Sequence, residues 1–212
     1  MQALYVTHPQ VAIDPHVPVP LWGLSTEGRQ RAELFARSGV VPPAAMIFSS
    51  RERKALELAD ILAAAAGTPV FSDHLMGEND RSATGFLPPV LFEAMADRFF
   101  GEPEQSADGW ERAVDAQRRI VETVTLALQS VPPDVPAVFC GHGAVGTLLR
   151  CHLAGRPIAR SEDQSRHGNR GGGNCFGFSL HPSTEATEWI AMEDWPPDWF
   201  RPAALAAAPL LV

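Results

Sequence analysis

Short apolar runs alternate along this chain with longer segments of helical spacing, and that alternation leaves few folds open. Residues 3–7, 45–48, 70–71, 137–140 and 175–180 have the length and β-enrichment of strands. Between them the spacing predicts a helix from a Ser25 cap to just before Gly39 and another from a Ser50 cap to Gly67. Further helices are expected over residues 88–100, about 109–130, and 143–153 with Gly155 as the stop. Thr187 to Met192 reads as a last strand. Parallel strands need crossover connections, and the crossover helices cover both faces of the sheet. The expected fold is an α/β three-layer sandwich, α/β/α, with a mostly parallel sheet.

Ligands in such sheets bind beyond the carboxyl ends of the strands. Two histidines fall there. His8 follows the run Leu4-Tyr5-Val6-Thr7 and precedes Pro9; His142 follows Cys140-Gly141 and precedes Gly143. On neighbouring strands the two imidazoles share one crevice. Gly143 allows close backbone approach to a ligand, and the amides that open the next helix form an anion site. A neutral imidazole can attack phosphorus, while a second one can hydrogen-bond the phosphoryl oxygens.

The bulk properties narrow the partners. A chain of 212 residues suits a single domain spanning residues 1–212, with about 73–110 as an inserted helical cap. The net charge of −8 argues against nucleic acid or an anionic membrane surface. Cys140, Cys151 and Cys175 cannot all pair and match no zinc spacing, so a reduced, cytoplasmic chain is expected. No basic segment precedes an apolar stretch at the N-terminus, and no apolar run is long enough to span a bilayer; AALAAAPLLV is short and broken by Pro209.

In order along the chain, several stretches resemble the histidine phosphatase superfamily, the phosphoglycerate-mutase-like proteins. Thr7-His8-Pro9 stands where that family has Arg-His-Gly, whose histidine becomes phosphorylated. LSTEGRQRA (24–32) is similar to its Gly-x-x-Gln-Ala helix, and IFSSRERKALELA (47–59) to its Ser-Ser strand end and Arg-Ala helix. MGENDRS places Glu78 where the family has a proton donor. VFCGHGAVGTLLRCHLAG (138–155) is similar to the segment holding its second histidine. The likeness covers roughly residues 3–155.

The resemblance implies a phosphomonoester hydrolase acting on a small phosphorylated substrate through a phosphohistidine at His8. His142 and Lys54 would hold the phosphoryl oxygens, and Glu78 would protonate the leaving group. Neither a metal nor an organic cofactor is implied. The departures weaken the anion clamp. Thr7 replaces the first arginine and offers one hydroxyl; Lys54 stands at the second, with Arg53 as its alternative. Pro9 has no amide to give. Arg81 is a candidate substitute, against a solvated loop arginine. The loop RSEDQSRHGNRGGGN is read as a surface connection, although Gly171-Gly172-Gly173 could turn amides to an anion. The alternatives are a degenerate member that binds a phosphorylated ligand or protein without catalysis, and a metal site of His8, His142 and Glu78. His16, His74, His152 and His181 have no supporting context. Met76, Phe86, Phe99, Phe100 and Trp110 read as core or cap packing.

Overall fold

A computed structural model describes residues 2–180 and 184–200, so His181 and AALAAAPLLV lie outside the described residues. The strands are β1 (Gln2–Thr7), β2 (Met46–Ser50), β3 (Val70–Asp73), β4 (Ala137–Gly141), β5 (Asn174–Ser179), β6 (Glu185–Ala186) and β7 (Ile190–Ala191). The helices are α1 (Thr26–Arg37), α2 (Arg53–Ala66), α3 (Pro89–Gly101), α4 (Ala113–Gln129), α5 (Gly143–Leu153) and the one-turn α6 (Gln164–His167). They form one mixed sheet in the order β3-β2-β4-β1-β5-β6, with β7 also on β5. The block β3-β2-β4-β1 is parallel, and β5 closes it antiparallel to β1.

The alternation of side chains along β1 builds the three layers. Leu4 and Val6 join Ile47, Val138 and Cys140 under Phe35 of α1 and Leu58 and Leu62 of α2. Ala3 and Tyr5 join Phe48, Phe139 and Phe176 against Ile120 and Val124 of α4 and Leu148 of α5. The expected sandwich is therefore the observed fold. Ser25 caps α1 by accepting the Gly28 amide at 3.0 Å, and Gly67 ends α2 in the left-handed region at φ 69°.

Two expectations change. Ser50 does not cap α2; it is the last residue of β2, Glu52 takes the cap position, and the Ser50 hydroxyl goes to a histidine. Of the expected final strand from Thr187 to Met192 only β7 (Ile190–Ala191) is a strand, and β6 (Glu185–Ala186) lies just before it. Between them the Thr187 hydroxyl accepts the Gly177 amide at 3.0 Å, a side-chain bond in place of a ladder bond. Among the described residues, no helix is long and apolar enough to cross a membrane.

Candidate active site

β1 and β4 are paired in register Thr7 to Gly141, so the residues that follow them emerge side by side. The His8 amide donates to the Gly141 carbonyl at 3.0 Å, and the His8 and His142 ring centroids are 5.3 Å apart. The crevice expected from the sequence is present.

His142 is fixed from below. The Tyr5 hydroxyl accepts its amide at 3.1 Å and donates to its carbonyl at 3.2 Å. That hydroxyl lies so close to Gly141 that a Cβ there would come within 2.1 Å of it, which is why glycine precedes this histidine. Nε2 sits 2.6 Å from the Ser50 hydroxyl, which already accepts the Glu52 amide at 3.2 Å. Nε2 also lies 3.5 Å from Glu52 Oε1, so this edge of the ring is held by the Ser50–Glu52 pair. Nδ1 is buried beside His8 with no partner among the described residues. An orphaned buried polar atom is costly unless something completes it.

His8 is fixed through Pro9. Its Nδ1 lies 3.0 Å from the Pro9 carbonyl. Burial first, and then the Lys54 charge, lower its pKa to about 4, so the imidazole is neutral at pH 7. A neutral ring bonded to a carbonyl through Nδ1 has its hydrogen there and its lone pair on Nε2. Burial likewise holds the His142 pKa well below the ordinary value.

Glu78 reaches the start of α5 and accepts the Ala144 amide at 3.3 Å and the Val145 amide at 3.1 Å. Burial raises its pKa; the Arg81 charge and the two amides oppose this, and Glu52 adds to it. The loop that carries Glu78 is clamped by Arg119 of α4. This guanidinium donates to the carbonyls of Leu75 (2.6 Å), Gly77 (3.1 Å) and Glu78 (3.3 Å) while paired with Glu111.

Lys54 points inward and is only 3% exposed. Its ammonium meets Glu52 at 2.5 Å and the Val19 carbonyl at 3.0 Å. Burial opposes the Glu52 charge, but the neighbouring His142 and Lys54 outweigh it and hold its pKa at about 2. Lys54 therefore enters the site as half of an ion pair. Arg53, its sequence alternative, does not reach the crevice. At the outer face of the first turn of α2, it pairs with Glu57 one turn on, and its side chain is 64% exposed.

Thr7 also departs from expectation. It is fully buried, and its hydroxyl donates to the Gln164 carboxamide at 2.8 Å and accepts the Asn174 amide at 2.9 Å. Arg81 lines the crevice with its guanidinium over Phe92 at 5.2 Å and Trp110 at 5.6 Å.

The loop read as a surface connection is a wall of the site. The Gly173 amide donates to the His8 carbonyl at 3.0 Å, and a Cβ on Gly172 would stand 2.4 Å from that oxygen. Arg160, from the same loop, is neutralised by Glu93, Asp97 and Asp163 and ties the loop to α3. These surfaces enclose a cleft of about 440 Å³. Its lining includes His8, Lys54, Glu78, Gly143 and Gln164 and the aromatic Phe92, Phe99, Phe100 and Trp110. Phe99 and Phe100 are thus both core and cleft wall. No three His, Cys, Asp or Glu side chains among the described residues are grouped to hold a metal ion.

Sequence reasoning missed Glu52, Arg119, Gln164 and Asn174. Each acts through a contact distant in sequence, and none carries a local signal.

Neutral imidazoles after two paired parallel strands place the chain among α/β proteins whose ligand site is built on histidine. A family model narrows the class: that of the histidine phosphatase superfamily (branch 1) matches residues 16–169, and the chain belongs to this family. The match begins after His8 and includes Glu78 and His142. No curated protein matches the sequence. Among solved structures, mycobacterial glucosyl-3-phosphoglycerate phosphatase is similar with a TM-score of 0.69 at 23% identity, over 89% of this chain and 95% of that one. Its complex with inorganic phosphate gives 0.69 at 23% identity, over 88% and 94%. Bacillus stearothermophilus YhfR gives 0.70 at 20%, over 86% and 93%. At these identities the likeness is one of fold.

Proposed function

We propose that the chain hydrolyses a small phosphomonoester through a phosphohistidine on His8, without a metal or organic cofactor. The observation that carries this is the His8 tautomer. A neutral ring held through Nδ1 by the Pro9 carbonyl presents the Nε2 lone pair as a nucleophile. Nε2 attacks phosphorus and the bond from phosphorus to the ester oxygen breaks. Protonated Glu78, favoured by its raised pKa, gives its proton to the leaving oxygen. Water then attacks the phosphohistidine, Glu78 takes the proton from that water, and the nitrogen–phosphorus bond breaks to release phosphate. The buried, unpartnered Nδ1 of His142, the amide of Gly143 at the start of α5 and the Arg81 guanidinium are suited to the phosphoryl oxygens.

The aromatic wall of the cleft suits an apolar alcohol. Residues of about 73–110 act as the cap that supplies it, within a single domain. Arg160 adds little cationic attraction there, because three carboxylates surround it. Steady-state hydrolysis of phosphomonoesters by the parent and by His8→Ala tests the reading. Turnover by the parent that falls to background in the variant is expected. Equal turnover by both would refute the mechanism. A parent that binds phosphate without hydrolysis or labelling would leave the chain a phosphate-binding member of its family.

A further inference from the structure

The family's first phosphate arginine is replaced by Thr7, whose hydroxyl is fully committed within the protein. The same hydroxyl, however, organises a neutral donor at the cleft. The Asn169 amide donates to Asn174 Oδ1 at 2.6 Å, which fixes the end of that carboxamide that is oxygen. Asn174 Nδ2 then donates to the Asn169 carbonyl and to Gln164 Oε1, each at 2.8 Å. Thr7 donates to the same Gln164 oxygen at 2.8 Å, closer than its other acceptor, the Asn174 carbonyl at 3.3 Å. With two donors on Oε1, the Gln164 amide nitrogen is turned the other way.

That nitrogen lies against Gly143, at the start of α5. A Cβ on Gly143 would come within 2.2 Å of it. Gln164, Gly143 and His8 line the same cleft. No acceptor among the described residues takes the two hydrogens of Gln164 Nε2, although Oε1 is doubly bonded. One end of the carboxamide is anchored by protein and the other is left for a ligand. A buried charge is avoided, and the donor direction is fixed before substrate arrives.

We propose that Gln164 binds substrate in place of the missing arginine, its Nε2 hydrogens donating to a phosphoryl oxygen held between His8 and the start of α5. Thr7 and Asn174 are positioning residues that act through its Oε1. This rests on the phosphohistidine reading above. The geometry also explains two glycines: side chains at Gly143 and Gly168 would strike Gln164 Nε2 and Asn174 Oδ1, at 2.2 and 2.1 Å.

Gln164→Glu tests the assignment, because it keeps an oxygen for Thr7 and Asn174 and puts a second, negative oxygen where the donor was. Inorganic phosphate and orthovanadate are the probes, with the thermal midpoint recorded with and without phosphate. A phosphate-dependent rise in the midpoint is expected for the parent, and its loss in the variant with the phosphate-free midpoint retained. The expected fall in kcat is about 10²–10³-fold, the range for a lost oxyanion donor. Gln164→Met, which keeps the length without the donor, should fall as well. Thr7→Val, which removes one donor from Oε1 and leaves Gln164 itself unsubstituted, should also lower kcat. Phosphate affinity and kcat within about threefold of the parent in both Gln164 variants, well under that range, would overturn the assignment. A parent that neither binds phosphate nor turns over an ester overturns it together with the proposed function. An active parent with unaffected variants overturns this inference alone.

Discussion

Replacing Arg119 with methionine removes five hydrogen bonds at once: two to Glu111 and one each to the Leu75, Gly77 and Glu78 carbonyls. Breaking a buried ion pair by removing one partner costs about 3–5 kcal/mol. Both side chains here are about a fifth exposed, 20% and 19%, and solvent screening reduces the expected cost to about 2–3 kcal/mol. For a chain of this size that is a fall of about 5–10 °C in the melting midpoint. The effect on catalysis separates from the effect on stability. Arg119 touches neither histidine; it holds the loop that delivers Glu78. General acid catalysis is worth about 10²–10⁴-fold, and only when the leaving oxygen needs a proton. Arg119→Met should therefore slow hydrolysis of a simple alkyl phosphate by about 10²-fold at a temperature where the variant is folded. Hydrolysis of p-nitrophenyl phosphate, whose leaving group departs without help, should slow far less. Paired kcat/KM measurements on the two esters, which report the step up to loss of the leaving group and not the later attack of water, form the assay with melting curves. Equal losses on both esters would refute the claim that Arg119 acts through Glu78. A variant with full activity on the alkyl ester would show that the Glu78 loop does not need Arg119, because the Ala144 and Val145 amides still hold the carboxyl.

Three further outcomes follow from the same geometry. The folded pKa of His8 lies at about 4, below its unfolded value, so its contribution is intact above about pH 6.5 and is lost as pH falls through 4; urea midpoints should drop over that window more steeply for the parent than for His8→Phe. Lys54→Met removes a charge that lowers both histidine pKa values and leaves Glu52 unpaired, so the acid limb of kcat/KM should move to higher pH, and an unmoved limb would show that Lys54 does not face the imidazoles. Gly172→Ala combines φ +77° with a Cβ 2.4 Å from the His8 carbonyl, so it should cost about 1–3 kcal/mol in urea unfolding and lower kcat.

The scaffold was readable because its signals are local. The bounds of α5, 143 to 153, follow from a strand end, an apolar spacing and Gly155, and the structure has the same bounds. His8 and His142 were found by the same logic, since parallel strands bring their carboxyl ends together. Glu78 was found only through the family resemblance; its sequence context is that of an ordinary polar loop. Which cations face the crevice is not legible from sequence, for a geometric reason. Lys54 and Arg53 are adjacent, and only the start of α2 decides which faces inward. By residue type Thr7 is a poor arginine, whereas its partners, Gln164 and Asn174, are distant in sequence. The glycine run 171–173 gave composition without direction, and its contact with His8 exists only once β5 has paired with β1.

The central claim is that His8 attacks through Nε2 because Pro9 holds Nδ1. The most direct measurement is ³¹P NMR of the protein during turnover of a phosphomonoester, after an alkaline quench, with mass spectrometry of the peptide that contains residue 8. One phosphoramidate is expected, on His8, with the chemical shift of the Nε2-linked isomer. An Nδ1-linked phosphohistidine, or phosphate released at full rate with no label on His8, would contradict it.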